Sequence, residues 1–208
     1  MKIDWLYLAP ALLLLLPPIP IKAASKTFAL SHRPGYSVAL GSMLVTWQNW
    51  VDLIRAAMGT YLLAHGAILN EAGTGSPNAR GLLLISAMAG IGLLLQTVRY
   101  TRGVQLIAPI FYLSGMTITF SDFAAGGFAV FAGWMFAMGA SKVIYQMPVT
   151  LIALAGAGYL FNGAGIGTIL SCMLAALPLV AAFMFRLPLL FVARSPKPTP
   201  IVSETSKA

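Results

Sequence analysis

The sequence predicts an all-α fold, a polytopic transmembrane helix bundle with seven spans. Hydrophobic residues make up 59% of the 208 residues, charged residues only 9%, and the mean hydropathy is +0.85. A soluble domain carries roughly 25% charged residues, so this chain has too few charges to cover a soluble globule. Most of its surface must therefore face hydrocarbon. Long apolar segments that alternate with short polar turns complete the argument.

Each apolar segment is long enough to be predicted as one helix. Pro10, Pro17, Pro18 and Pro20 predict an irregular first helix, and Pro178 predicts a kink in the last one. In chain order, the predicted helices are Asp4–Ile21, Trp47–Leu69, Gly81–Val98, Gly103–Phe120, Phe123–Ser141, Met147–Phe161 and Ile166–Phe185. Residues 1–193 form a single domain in this scheme, and the polar residues 194–208 are expected to be a disordered cytoplasmic tail.

The basic residues alternate between the two sides of these spans. Cytoplasmic loops are enriched in Lys and Arg, and an outside N-terminus places ten of the 13 basic residues on the inner side. Those ten are Lys22, Lys26, Arg33, Arg99, Arg102, Lys142, Arg186, Arg194, Lys197 and Lys207. The sequence therefore predicts a bacterial inner-membrane protein with its N-terminus outside and its C-terminus in the cytoplasm.

The first segment has a second interpretation. Met1–Ser25 has an apolar stretch followed by the small residues Ala23 and Ser25, a pattern typical of a cleaved secretory signal. Cleavage would leave six spans and reverse the bias of the basic residues. In addition, Lys2 is offset by Asp4 at the start of the segment. These features favour an uncleaved first span.

Several classes of function are disfavoured by the residues present. No basic run with interleaved aromatic residues suggests nucleic-acid binding. Cys172 is the single cysteine, which excludes an intrachain disulfide and a Cys-rich metal cluster. His32 and His65 lie in different segments, so they do not form a paired metal-binding motif. We expect no metal and no cofactor, and no set of catalytic residues can be assigned.

The second predicted helix carries the candidate polar site. At 100° per residue, Asn49, Asp52, Arg55 and Gly59 lie within an arc of about 120°, so polar and small residues share one face. His65 is a further intramembrane ionisable residue, about 140° around the helix from Asp52. Such a face is expected to point into the bundle.

Two interpretations of Asp52 and Arg55 are open. An ionisable pair inside a membrane is costly, which favours a functional site that binds a proton or a small ion. Alternatively, the two residues form an ion pair one turn apart near the inner interface. The nearby Trp47 and Trp50 mark this interface and favour the ion pair. In that case, neutralising both residues should recover the stability lost by neutralising one.

Two other helices carry regular patterns. Ala125, Ala129, Gly133 and Ala137 recur every four residues in the predicted helix Phe123–Ser141, which predicts a helix-packing seam against another helix or another subunit. Ser114, Thr117 and Ser121 share one face of the preceding helix. These hydroxyls are interpreted as hydrogen-bonding groups for helix packing rather than as the lining of a solute path.

Three functions remain open from the sequence. The favoured one is a non-catalytic subunit or assembly factor of a membrane complex, whose partners are the lipid bilayer and other membrane subunits contacted through the predicted fifth helix. The first alternative is a small transporter that uses the polar face of the second helix. The second alternative is a membrane enzyme acting on a lipid-linked substrate, although few ionisable groups could serve as acid, base and nucleophile.

Overall fold

The computed structural model describes residues 2–16, 28–30, 40–69, 79–100, 104–140, 145–162, 165–186 and 189–193. This part of the chain is mostly helical, as the sequence predicts. Its helices are α1 Trp5–Leu15, α2 Leu40–Val45, α3 Trp47–Leu62, α4 Ala79–Thr97, α5 Ile110–Phe120, α6 Phe123–Gly139, α7 Gln146–Asn162 and α8 Ile166–Phe185. A π-helical turn, Leu63–Ala67, continues α3. The predicted tail, residues 194–208, lies outside the described residues.

Each predicted helix overlaps one of these helices, and proline explains the early end of α1 and the late start of α5. Helix α1 ends at Leu15 rather than at Ile21, because Leu16 adopts the extended backbone that a following proline favours. Helix α5 begins at Ile110 because Pro109 lacks an N–H and disfavours a helical conformation before it. The residues ahead of α5 form a strand instead.

Short strands connect segments that are far apart in the chain, and the sequence did not predict them. The strands are β1 Lys2–Ile3, β2 Phe28–Leu30, β3 Ile68–Leu69, β4 Val98–Tyr100, β5 Val104–Pro109 and β6 Leu189–Ala193. Strand β1 pairs antiparallel with β3, while the other four form a mixed sheet in the order β2-β6-β5-β4. Strands β5 and β6 are parallel in that sheet.

The core forms where α1, α3, α4 and α5 meet. Leu15, Ala56, Leu93 and Met116 are almost completely buried there. A Cβ on Gly115 would collide with the Leu53 carbonyl oxygen, so α5 packs directly on the backbone of α3. The small residue at this position therefore sets the distance between the two central helices.

Large apolar side chains cover the outside of the helices. Phe183 is 86% exposed, Phe123 79% and Leu160 78%. Among the described helices, α8 is the one long and apolar enough to cross a membrane, with 20 residues and a mean hydropathy of 2.2. The other apolar helical segments have 10–17 residues, and Gly81–Thr97 of α4 is one of them. Soluble monomers rarely expose large contiguous apolar patches, so a surface of this kind is typical of contact with lipid or with other proteins.

Candidate functional site

The polar face of α3 points into the molecule, towards α1. Asn49 and Arg55 are buried, and the Asp52 side chain is about a quarter exposed at 24%. A Cβ on Gly59 would lie 3.0 Å from Cγ of Leu15, so α1 passes close to the α3 backbone. Three of the predicted site residues thus lie along one face of α3, and α1 covers this face at Arg55 and Gly59.

The Arg55 guanidinium binds the C-terminal end of α1. Its Nη1 donates hydrogen bonds to the carbonyl oxygens of Leu14, at 2.8 Å, and Leu16. Its Nη2 lies 3.4 Å from Oδ1 of Asp52. The guanidinium carbon is 5.3 Å from the centroid of the Tyr112 ring, a distance typical of a cation–π contact. Arg55 therefore joins three helices.

Two neutral side chains complete the cap on α1. Nε2 of Gln96, from α4, donates to the Leu15 carbonyl oxygen at 3.1 Å, and Oη of Tyr112, from α5, donates to the same oxygen at 3.0 Å. We call Arg55, Gln96 and Tyr112 together the α1 cap. These residues satisfy three successive carbonyls at the end of α1.

A helix end needs such partners because its last carbonyls have no donor within the helix. Helix α1 has 11 residues and is about 16 Å long, which is shorter than the hydrocarbon core of roughly 30 Å. A helix that stops inside a membrane must have its carbonyls satisfied by the protein. The carbonyl end of a helix also carries partial negative charge, which a guanidinium complements.

Asp52 and Asn49 have smaller structural roles at this site. The 3.4 Å contact of Asp52 with Arg55 is long for a hydrogen bond, so this carboxylate is the more distant partner of the guanidinium. Nδ2 of Asn49 donates to the Met43 carbonyl oxygen at 2.8 Å and ties α2 to the start of α3. The first contact lies within α3, and the second joins two helices.

His65 lies apart from these residues. It belongs to the π-helical turn after α3, about 15 Å along the helix axis from Arg55. Its side chain is exposed, and its ring centroid lies 4.7 Å from that of Tyr61. The structure therefore keeps Asn49, Asp52 and Arg55 on one face of α3 but does not bring His65 to them.

The four residues of the predicted packing seam are all buried in α6. Gly133 faces α7, since a Cβ at this position would collide with Oγ1 of Thr150 and lie 2.9 Å from the Gln146 carbonyl oxygen. The partner of the seam at Gly133 is thus a helix of the same chain. The seam residues are Ala125, Ala129, Gly133 and Ala137.

Sequence reasoning missed Gln96 and Tyr112, the two neutral members of the α1 cap. Both are polar residues within apolar segments, and this was the signal that could have drawn attention to them. It also missed Gln146 and Thr150, which lie buried at the start of α7. Among the described residues, no group of three His, Cys, Asp or Glu side chains could hold a metal ion.

No protein-family model, no curated protein and no solved structure matches this chain.

Proposed function

We propose that the chain is a seven-span bacterial inner-membrane protein that serves as a non-catalytic subunit or assembly factor of a membrane complex. The observation that carries the proposal is the α1 cap. Arg55 lies on the face of α3 that the sequence suggests as a polar path for a solute. Its guanidinium instead donates hydrogen bonds to carbonyl oxygens at the end of α1. A buried cation used in this way supports a structural role rather than transport.

The strand pairs support the seven-span topology. The pairing of β1 with β3 brings the N-terminal residues next to the end of the second predicted span. The mixed sheet joins β2, β4, β5 and β6, which lie in or next to segments assigned to the cytoplasmic side by their basic residues. Hydrogen-bonded strands must lie on the same side, and both sheets agree with the alternation of Lys and Arg.

The burial of α1 supports an uncleaved first span. Leu8, Ala11 and Leu15 are at most 3% exposed, and the end of the helix receives hydrogen bonds from three other helices. Removal of this helix would expose the polar face of α3 and leave the buried Arg55 without its carbonyl partners, which is costly.

A partner subunit contacted through α6 would have to bind the face of that helix that points away from the rest of the chain. The opposite face packs against α7 at Gly133. Three large apolar side chains of α6 are between 50% and 62% exposed, namely Phe128, Phe131 and Met135. Aromatic residues and methionine are enriched in protein interfaces, which makes this face the one that we assign to a partner.

A small transporter remains the second candidate, because α1 is a half-length helix that ends inside the molecule. Discontinuous helices form the binding sites of many transporters, where carbonyls at a helix end coordinate the coupling ion. Here the guanidinium of Arg55 lies at those carbonyls. Exchange with a solute would require this side chain to leave the α1 cap.

Deletion followed by complementation tests the two candidates. On the proposed function, membranes of the deletion strain should lose a band on native gels that represents an assembled complex, and the wild-type chain should restore it. Asp52→Asn should restore it equally well, because the carboxylate supports the Arg55 side chain and no titration is required. Failure of Asp52→Asn at normal abundance, with loss of a solute gradient, would contradict the proposal and favour transport.

A further inference from the structure

A small cavity with several polar residues in its walls lies between α5, α7 and α8. Its walls include the hydroxyl-bearing residues Ser114 and Thr117 of α5, Gln146 and Thr150 of α7, and Ala175 of α8. All four polar residues are buried, at 5% exposure or less. The cavity therefore brings together buried, neutral hydrogen-bonding side chains from separate helices.

Two of these groups have no hydrogen-bond partner within the described part of the chain. They are Oγ of Ser114 and Oε1 of Gln146. The Gln146 amide nitrogen donates to Oγ1 of Thr150 at 3.4 Å, so this end of the side chain is engaged while the oxygen is not. A buried polar atom without a partner costs about 1–3 kcal/mol. The cavity thus contains an acceptor and a hydroxyl that both require a ligand.

The size of the cavity restricts the ligand. Its volume is about 10 Å³, which is roughly the smallest volume that admits a single water molecule. The side chains that line it carry no charge, and the positive end of the α7 dipole lies at Gln146. A cation would meet an unfavourable dipole, and an ion of either sign would lack a counter-charge in a medium of low dielectric.

Pro178 adds a backbone acceptor near the same place. A proline has no N–H, so the Leu174 carbonyl receives no hydrogen bond from the residue four positions later. Leu174 directly precedes Ala175, which lines the cavity. Ordered water is one of the groups that satisfy carbonyls freed by proline in membrane helices.

We propose that this cavity binds one water molecule, which donates to Oε1 of Gln146 and bonds the hydroxyl of Ser114. Water fits because it offers two donors and two acceptors, whereas the amide oxygen can only accept. The water links α5 to α7 beside the proline of α8 and is part of the packing of these helices.

The sign of a stability change tests the proposal. If water bridges the two groups, Ser114→Ala breaks a satisfied contact and should lower the Tm in detergent by about 2–4 °C. If the cavity is dry, the same change removes an unsatisfied hydroxyl and should raise the Tm. Ser86→Ala is the matched control, because the Ser86 hydroxyl donates within α4 to the Leu82 carbonyl oxygen at 2.7 Å. A Tm that is unchanged or raised in Ser114→Ala, beside a fall in the control, would overturn the proposal.

A second variant and a change of salt complete the test. Gln146→Met should lower the Tm, and its combination with Ser114→Ala should lower it by less than the sum, because both changes remove the same bridge. The Tm should be equal in sodium, potassium and choline chloride and in sodium gluconate at the same ionic strength. A Tm that depends on one ion in the wild type but not in Ser114→Ala would show that the cavity binds an ion rather than water.

Discussion

At the scale of single residues, Arg55 explains how a charge is kept within an apolar chain. Its guanidinium donates to two α1 carbonyls, contacts Asp52 and lies over the Tyr112 ring. One open interpretation of the sequence made Asp52 the partner of Arg55 in an ion pair, and the other made the two residues a site for a proton or a small ion. The structure adds a third arrangement, in which the backbone end of another helix is the closer partner and the carboxylate is secondary.

This arrangement predicts unequal effects for the two charged residues. Arg55→Gln should lower the free energy of unfolding by about 3–5 kcal/mol, because it removes a buried cation from its partners and leaves carbonyls unsatisfied. Asp52→Asn should cost less than about 1 kcal/mol, because this partly exposed carboxylate lies 3.4 Å away. Chemical unfolding in detergent measures both.

The double variant separates this arrangement from a simple ion pair. A simple pair predicts that Asp52→Asn combined with Arg55→Gln recovers the stability lost by a single change. The α1 cap predicts that the double variant is as unstable as Arg55→Gln, since the carbonyls of Leu14 and Leu16 lose their donor in either case. Recovery in the double variant would show that Asp52 is the dominant partner.

At the scale of helices, small residues fix how closely neighbours approach. Gly133 in α6 lies against Thr150 in α7, and Gly158 in α7 lies against Thr168 in α8. Gly115 plays the same part between α5 and α3. In the proposed membrane setting, the helices gain no hydrophobic burial from one another, so close backbone contact and van der Waals packing would stabilise their association.

Alanine at two glycines of α6 tests this packing. Gly133→Ala places a methyl group on Thr150 and should destabilise the protein by about 1–3 kcal/mol, since an overpacked contact has to move. Gly127→Ala is the control in the same helix, because nothing lies within 4 Å of a Cβ there. The control should be neutral or slightly stabilising. Equal Tm values for the two variants would contradict close packing at Gly133.

At the scale of the whole molecule, the two sheets constrain which segments share a side. Lys2 pairs with Leu69, and Ala29 pairs with Val192. The first pair joins segments that the proposed topology places outside, and the second joins segments that it places in the cytoplasm. The short strands therefore carry topological information that the helices alone do not contain.

Cysteine cross-linking in a Cys172→Ser background tests this topology. Paired residues of antiparallel strands have Cα atoms about 4.5–5.5 Å apart, within the range that a disulfide can bridge. Lys2→Cys with Leu69→Cys and Ala29→Cys with Val192→Cys should therefore cross-link under mild oxidation. Lys2→Cys with Ala29→Cys is the mismatched control and should not cross-link.

Reporter fusions test the orientation of the chain. Fusions after Lys142 and after Lys207 should read cytoplasmic, and one within Asn70–Arg80 should read external. The opposite readings would reverse the orientation.

The sequence by itself determined the mostly helical fold and the approximate place of the helices, because apolar runs between turn residues and prolines act locally. It also placed Asn49, Asp52 and Arg55 on one face, since that depends only on the helical period. The tertiary structure alone decided what covers this face. Nothing in the sequence marks Leu14, Leu15 and Leu16 as part of a site. Their carbonyl oxygens accept hydrogen bonds from side chains of other helices only because α1 ends beside α3, α4 and α5. The strands likewise depend on contacts between distant segments, which no local pattern encodes.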